Sequence, residues 1–450
     1  MAQLLISALV VAAFFSAPSA DGAFCTSGPD PGERTNDAPF DTTAHAFVRS
    51  VENGALYEAG PENARFPLLH VYGSAYEMGF AQGQIWGKAH MEKFAAGTYE
   101  YLIQGGLDAL GDRLPEKFQA LLIEKGLDRA LDWTAEQTAP FTPQHYLDEI
   151  RGIADGAGVD YQTLLRLNMI PEVTKASCSF FGAWGDASAD GHTYQLRALD
   201  YATDCDTFTD MRMVVVYHPS GGRVASVSLG WPGLVGVLTG FSEQQIGISE
   251  IGVSFSDDSF GQGTDNTPPE KVAGQPWMSV LRDVAETATG LDSALAVIEN
   301  ANRTCNLIIG IGSGKDGVAN GVEYSGYVAV PYNDTTLLPA NDTWHAQIPG
   351  VVYNGMDWDC PTYTGVLHDQ LAKYRGSIDA ATAVGHILPT VQTGNLHIAV
   401  TDLTDSQFFV SFMRMTTASE DEPFFAYERQ FTQLDMPTLF AMPAPEVVSA

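Results

Sequence analysis

The sequence changes character at Cys178. Upstream, from Ser74 to about Ile170, apolar residues recur at helical spacing; downstream, short β-rich runs alternate with Gly, Pro and Ser. That switch confines the chain to architectures in which helices and strands form separate layers, the α+β class. Upstream, Tyr76, Met78, Phe80, Ile85 and Trp86 lie among Gly79, Gly83 and Gly87. This predicts a long helix from Ser74 to about Tyr101 whose glycine ladder lets another helix approach closely. Further helices are predicted over Pro115–Asp132, Pro143–Ala157 and Tyr161–Leu167, and residues 24–65, rich in Pro, Gly, Asp and Asn, read as irregular. Downstream, MRMVVVYH, RVASVSLG, LVGVLTGF and QIGISEIGVS predict strands, followed by a helix over Pro276–Asn302. Strands return in CNLIIGIGSG, VEYSGYVAV, NLHIAVTDL and QFFVSFMRM, with a helix near Ala380–Ile387. GIGSGKDG lacks the spacing of a phosphate-binding loop.

Of the 450 residues 45% are hydrophobic and 17% charged, enough for a large core. Acidic residues outnumber basic ones 55 to 23, a formal charge of −32 that repels phosphate backbones and argues against a nucleic-acid partner. Leu4–Phe15 is apolar but too short for a bilayer and is followed by small residues, the pattern of a signal peptide ending near residue 20. Three sequons begin at Asn302, Asn333 and Asn341 and agree with a secreted or lysosomal glycoprotein without an integral membrane segment. In an oxidising compartment the five cysteines, Cys25, Cys178, Cys205, Cys305 and Cys360, leave one thiol over. No metal cluster or cofactor motif stands out, so neither a metal nor a cofactor is expected.

SCSFFGAWGDASADGHTYQLRALDY, Ser177 to Tyr201, reads as a hairpin that opens on a cysteine and closes on Arg197 and Asp200. A five-residue loop, Ala187–Gly191, puts Cys178 opposite Asp200 and Arg197 opposite Phe181; a two-residue Asp-Gly turn puts Cys178 opposite Thr203 instead. Alternation sets Arg197 and Asp200 on opposite faces unless a bulge or strand end intervenes near Leu199. A guanidinium beside the sulfur favours the thiolate nucleophile. His192 lies at the turn, far from Cys178, so a Cys–His pair needs a more distant histidine. Cutting the peptide bond before Cys178 would supply another base, its own α-amino group. As a half-cystine, Cys178 would break an otherwise even set of four.

Taken in order, these residues resemble the cysteine N-terminal-nucleophile (Ntn) hydrolases, and best the acyl-CoA:6-aminopenicillanate acyltransferase-like group. Gly73-Ser-Ala-Tyr-Glu-Met-Gly79-Phe-Ala-Gln-Gly83 matches that group's upstream helix, and EIRGIADGAGVD, Asn168 and Glu172 precede the cysteine. Ala-Trp-Gly, an Asp-Gly turn and Arg197-x-x-Asp200-Tyr201 follow it, then WPGLVGVLTGFSEQQIGIS. The resemblance runs from about Leu69 to Glu323. It implies a four-layer αββα sandwich, with residues 21–177 a mostly helical pro-segment and 178–450 the catalytic chain. It further implies self-cleavage between Ser177 and Cys178, two chains that stay associated, and a Cys178 nucleophile with its own amine as base. Asp200 would hold that amine, Arg197 would order the site, and Asn306 would supply the oxyanion hole. Ser249-Glu250 stands where many relatives have an asparagine, the point at which the chain approaches the acid-ceramidase-like and phospholipase-B-like branches. The expected activity is an amidohydrolase or acyltransferase acting on a small-molecule or lipid N-acyl substrate, with strands around Trp231 and Phe241 lining an acyl pocket. Alternatives are an ester hydrolase with the same nucleophile and a non-catalytic glycoprotein. Outside the site, Cys25, Cys205, Cys305 and Cys360 are the disulfide candidates.

Overall fold

A computed structural model describes residues 28–106, 114–174, 176–253, 258–261, 271–358, 360–414 and 424–446. The leader and Cys25 lie outside the described residues. After an N-terminal strap, three strands come first: β1 (Ala46–Val51), β2 (Gly54–Ala59) and β3 (Phe66–Gly73). Five helices follow: α1 (Ala75–Tyr101), α2 (Glu116–Lys125), α3 (Leu127–Thr138), α4 (Gln144–Ala157) and α5 (Tyr161–Val173). The hairpin β4 (Ser177–Gly185) and β5 (Gly191–Asp200) leads through a short α6 (Asp206–Asp210) to β6 (Met213–Pro219), β7 (Ser226–Gly230), β8 (Thr239–Ser242) and β9 (Ile246–Gly252). Next come α7 (Trp277–Thr287), α8 (Leu291–Asn300), β10 (Asn306–Ser313), β11 (Val318–Ser325), β12 (Ala329–Tyr332) and β13 (Val351–Asn354). The chain closes with α9 (Tyr363–Tyr374), α10 (Ala380–Thr382), α11 (Leu388–Val391), β14 (His397–Asp402), β15 (Gln407–Phe412), β16 (Thr432–Asp435) and α12 (Met436–Phe440).

The strands form two sheets, one of ten in the order β1-β2-β3-β6-β7-β8-β9-β10-β11-β12 and one of six in the order β13-β4-β5-β14-β15-β16. They face each other, β4 and β5 against β9 and β10, with α1, α7 and α8 outside the larger sheet and α9 and α10 outside the smaller. This is the αββα sandwich. Strand alternation builds it. On β3 and β6, Leu69, Val71, Val215 and Tyr217 turn out to meet Met78, Ala81 and Ile85 of α1. Leu68, Val214 and Val216 turn in, to meet Ala399, Val410 and Phe412.

Part of the stretch read as irregular departs from that reading, because β1 and β2 extend the larger sheet and β2 buries Ala55, Leu56 and Ala59. Two predicted helices are each broken in two. Gly126, at φ 86°, separates α2 from α3, and the Ala288–Gly290 stretch separates α7 from α8. Of LVGVLTGF only its end is strand, β8.

The glycine ladder seats α1 on α4. A Cβ on Gly83 would stand 2.3 Å from the Ile153 carbonyl oxygen, and one on Gly152 would stand 2.2 Å from that of Tyr76. Gly87 is not part of that contact; at φ 70°, ψ 172° it kinks α1. Arg282 of α7 reaches Glu149 of α4 at 2.9 Å and Glu286 at 2.7 Å, all three buried, so the helices before and after Cys178 share one charge network. Residues 28–41 form a strap over the smaller sheet's helices. Asn36 N donates to the Gly385 carbonyl at 2.9 Å, Arg34 N to Thr390 Oγ1 at 3.1 Å, and Asp41 forms a parallel bridge with Thr432.

Candidate active site

Cys178 is the first inward-facing residue of β4, an interior strand of the smaller sheet. The hairpin register is one residue away from the expected one: Cys178 faces Leu199, Ser177 faces Asp200 and Phe180 faces Arg197. The cause lies at the loop end: Gly185 pairs with Gly191, so the loop is 186–190, and a bulge then places one extra residue in β5 between Gly191 and Tyr194. In this register Arg197 and Cys178 are diagonal neighbours on the inner face. Arg197 Nη2 donates to Cys178 Sγ at 3.1 Å and to Glu250 Oε2 at 3.1 Å, while Nε donates to the Glu250 carbonyl at 3.2 Å.

Arg197 Nη1 lies 2.9 Å from His397 Nε2, which also meets Thr239 Oγ1 at 3.1 Å. Burial, then the guanidinium, drives the imidazole's pKa well below its ordinary value. His397 is therefore a neutral acceptor for Arg197, with its Nε2 lone pair committed, and not a base for the sulfur. Sequence reasoning missed it. Its only signal was the even spacing of inward residues along NLHIAVTDL.

Asp200 ends β5 and turns to the outer face. Its carboxylate accepts from Thr393 Oγ1 at 2.7 Å, Gly394 N at 2.8 Å and Asn395 N at 2.9 Å. Thr393 in turn meets Ser179 Oγ at 2.7 Å, tying Asp200 to β4 one residue past the cysteine. Burial outweighs these bonds and pushes the Asp200 carboxyl up to about 6. The Cys178 thiol is fully buried, and burial drives its pKa far up; Arg197 opposes this and Glu250 and Asp200 add to it. The resting sulfur is thus a protonated thiol, closed to solvent, beside an exposed Ser177.

Glu250 lies on β9 and Asn306 opens β10; Leu307 pairs with Gly252, whose amide donates to the Ala176 carbonyl at 3.2 Å and also bonds the Cys178 sulfur. Val253 N donates to the Asn306 carbonyl at 3.1 Å, so Asn306 stands beside the residues that flank the thiol. Arg197 and Glu250 also line an apolar cavity. Phe94, Leu167 and Ile170 wall it from before Cys178, and Trp231, Trp277 and Met278 from after it. Phe241, expected there, packs between the sheets instead. Asn168 secures the wall, its Nδ2 donating to the Gly233 carbonyl and its Oδ1 accepting from Val235 N, each at 2.8 Å. Glu172 accepts from Trp277 N at 2.9 Å.

Two of the expected disulfide partners form no disulfide. Cys205 and Cys305 are buried thiols, Cys305 held against Glu172, whereas Cys360 is disulfide-bonded. The reason is position: Cys205 caps α6 and Cys305 leads into β10, each enclosed by apolar packing. Asn302 is exposed at the end of α8, and Asn333 and Asn341 are half-exposed in loops. At the far end of β5, His192 gathers with Asp402 and Asp405, their ligand atoms within 4.8 Å of one another, a grouping absent from the sequence reading. Among the described residues no helix is long and apolar enough to cross a membrane.

The fold and site define an αββα sandwich with a buried thiol–guanidinium–carboxylate constellation at the head of a central strand. No family model matches the sequence. The chain is 32% identical over 430 residues to protein dcd1A of Dictyostelium discoideum, covering 91% of this chain and 94% of that protein. It is 32% identical over 420 residues to dcd1B of the same organism, covering 89% and 80%. The chain belongs to the dcd1 family. Solved structures similar to it include a Caenorhabditis elegans N-acylethanolamine-hydrolyzing acid amidase ortholog, with 14% identity and TM-score 0.36 over 50% of this chain and 93% of that one. Penicillin V acylase from Agrobacterium tumefaciens has 13% identity and TM-score 0.37 over 58% and 86%.

Proposed function

We propose that the chain is a self-processing cysteine amidohydrolase or acyltransferase of the N-terminal-nucleophile type, acting on linear N-acyl compounds. The observation that carries the reading is the 3.1 Å contact between Arg197 Nη2 and a sulfur buried at the start of β4, beside an apolar cavity. A thiol closed to solvent has its own backbone as its nearest electrophile. In processing, Cys178 Sγ attacks the Ser177 carbonyl carbon; the S–C bond forms, the C–N bond breaks, and the thiol proton goes to the freed amine. Water then hydrolyses the thioester, leaving a Ser177 carboxylate and a free Cys178.

In turnover the α-amine of Cys178 takes the thiol proton and the thiolate attacks the substrate carbonyl. The proton passes to the leaving amine as its C–N bond breaks, and water or an acceptor amine resolves the thioester. Asp200 holds the amine, Arg197 orders the sulfur, Glu250 fixes Arg197, and Asn306 donates to the oxyanion. The acyl chain occupies the cavity beside Trp231. The leader and the sequons at Asn302, Asn333 and Asn341 support maturation in the secretory route. The residues before and after Cys178 remain one particle after the cut.

Intact mass of the purified chain tests the reading. Two fragments with a new N-terminus at Cys178, and a single uncut, inactive chain for Cys178→Ala, are expected. One uncut wild-type chain, even after acid incubation, would sink self-processing. Matched N-acyl and O-acyl substrates separate an amidase from an ester hydrolase using the same sulfur. A cut chain that turns over neither is the binding glycoprotein.

A further inference from the structure

Among the described strand pairs β3–β6 is parallel, the others antiparallel, and it joins the strands before Cys178 to those after it. On its inner face His70 Nδ1 meets His218 Nε2 at 3.0 Å. The ring centroids are 5.3 Å apart and the planes differ by 18°. That separation is about the N···N distance plus the two ring radii, so the imidazoles meet end-on, as donor and acceptor of one N–H···N bond. Tyr72, in register with His218, lies flat on it with centroids 4.2 Å apart, and its hydroxyl donates to the Met442 carbonyl. Tyr57 of β2 presents its edge to His70, and His45, itself beside Asp41, acts on His70 from the strap side. Asp405 and Asp435 line the groove outside Tyr57 and His45.

We propose that this pair makes the β3–β6 joint an acid-labile seam, at which uptake of one proton loosens the β1–β3 layer from β6. A neutral pair shares one proton. One further proton leaves an imidazolium in this buried joint, with no carboxylate acting on either ring to offset the charge, and a proton on both rings sets two N–H groups head to head. Burial, with the facing rings, brings His70 down to about 3, and burial brings His218 down to about 4. Both lie below the unfolded value of 6.5, so the pair's contribution is whole above pH 6.5 and is lost as pH falls toward 4. At pH 5 the linkage through His218 alone is about 30-fold in the opening equilibrium. Because β3 runs straight into α1, the start of that helix loosens with the strand.

Hydrogen exchange on the full chain tests this, after correction for the intrinsic pH dependence and with β14–β15 peptides as reference. Between pH 7 and pH 5, peptides covering 66–73 and 213–219 should lose at least about tenfold in protection relative to the reference. His218→Gln keeps a hydrogen-bonding partner that does not titrate and should at least halve that loss on a logarithmic scale; His70→Gln should do the same. Equal protection at the two pH values, or a loss unchanged in both variants, would overturn the seam.

Discussion

Arg197 is the residue on which the site's electrostatics turn, because a single buried guanidinium serves a thiol, a carboxylate and an imidazole. Removing one partner of such a pair leaves a buried charge uncompensated. Arg197→Met should therefore destabilise the chain by about 3–5 kcal/mol in denaturant melts, and Arg197→Met/Glu250→Gln should recover more than half of that. Asp200 behaves in the opposite sense to a salt-bridged carboxylate. Its folded pKa, about 6, is raised above the unfolded value of 3.8, so its ionised form costs stability; the cost is full above pH 6, shrinks as pH falls from 6 and is gone below 3.8. The melting temperature of Asp200→Asn minus that of the wild type should accordingly be more positive at pH 7.5 than at pH 5, by about 1–2 °C. The identities of Cys178, Arg197, Asp200, Glu250 and Asn306 were legible in the sequence as candidates; their pairing was not. A loop one residue earlier than expected and one bulged residue of β5, between Gly191 and Tyr194, set the whole ladder, and nothing in Gly-His-Thr-Tyr distinguishes a bulge from a regular strand. His397 was illegible for a related reason: it comes from a strand some 200 residues away, and only the sheet order puts it beside Arg197.

At the scale of elements, periodicity carried furthest where one face of a helix or strand meets the core. The α1 and α4 boundaries and most strands follow from the apolar pattern and from Ser74 and Gly158, a capping serine and a left-handed C-terminal glycine. It failed for β1 and β2. Every residue of β1 but the last is exposed, so an edge strand there leaves no two-residue hydrophobic alternation to read. The glycine contact between α1 and α4 is also a sharp test of packing. Gly83→Ala and Gly152→Ala each gain helix propensity yet place a methyl about 2.2–2.3 Å from a carbonyl oxygen. Each should lower stability by at least about 2 kcal/mol, where an exposed mid-helix Gly→Ala would raise it. Thermal melts of the two variants decide the point.

For the whole molecule, the residues before Cys178 are built into the fold of those after it, as three strands of the larger sheet, a wall of the cavity and a charge network with α7. Native thiol labelling should reflect this enclosure. Uncut Cys178 is expected to resist alkylation by iodoacetamide until the chain unfolds, and quantitative labelling of Cys178 in the native uncut chain would contradict its burial.

The strap of residues 28–41 extends that dependence to the far side of the molecule. It lies across helices that come some 350 residues later, so the first and last parts of the chain clasp the sandwich from the side opposite α1. On the proposed reading, a cut before Cys178 leaves two polypeptides held like a buckle and its belt. Size, shape and sedimentation would not report the break; only a denaturing measurement would count the pieces.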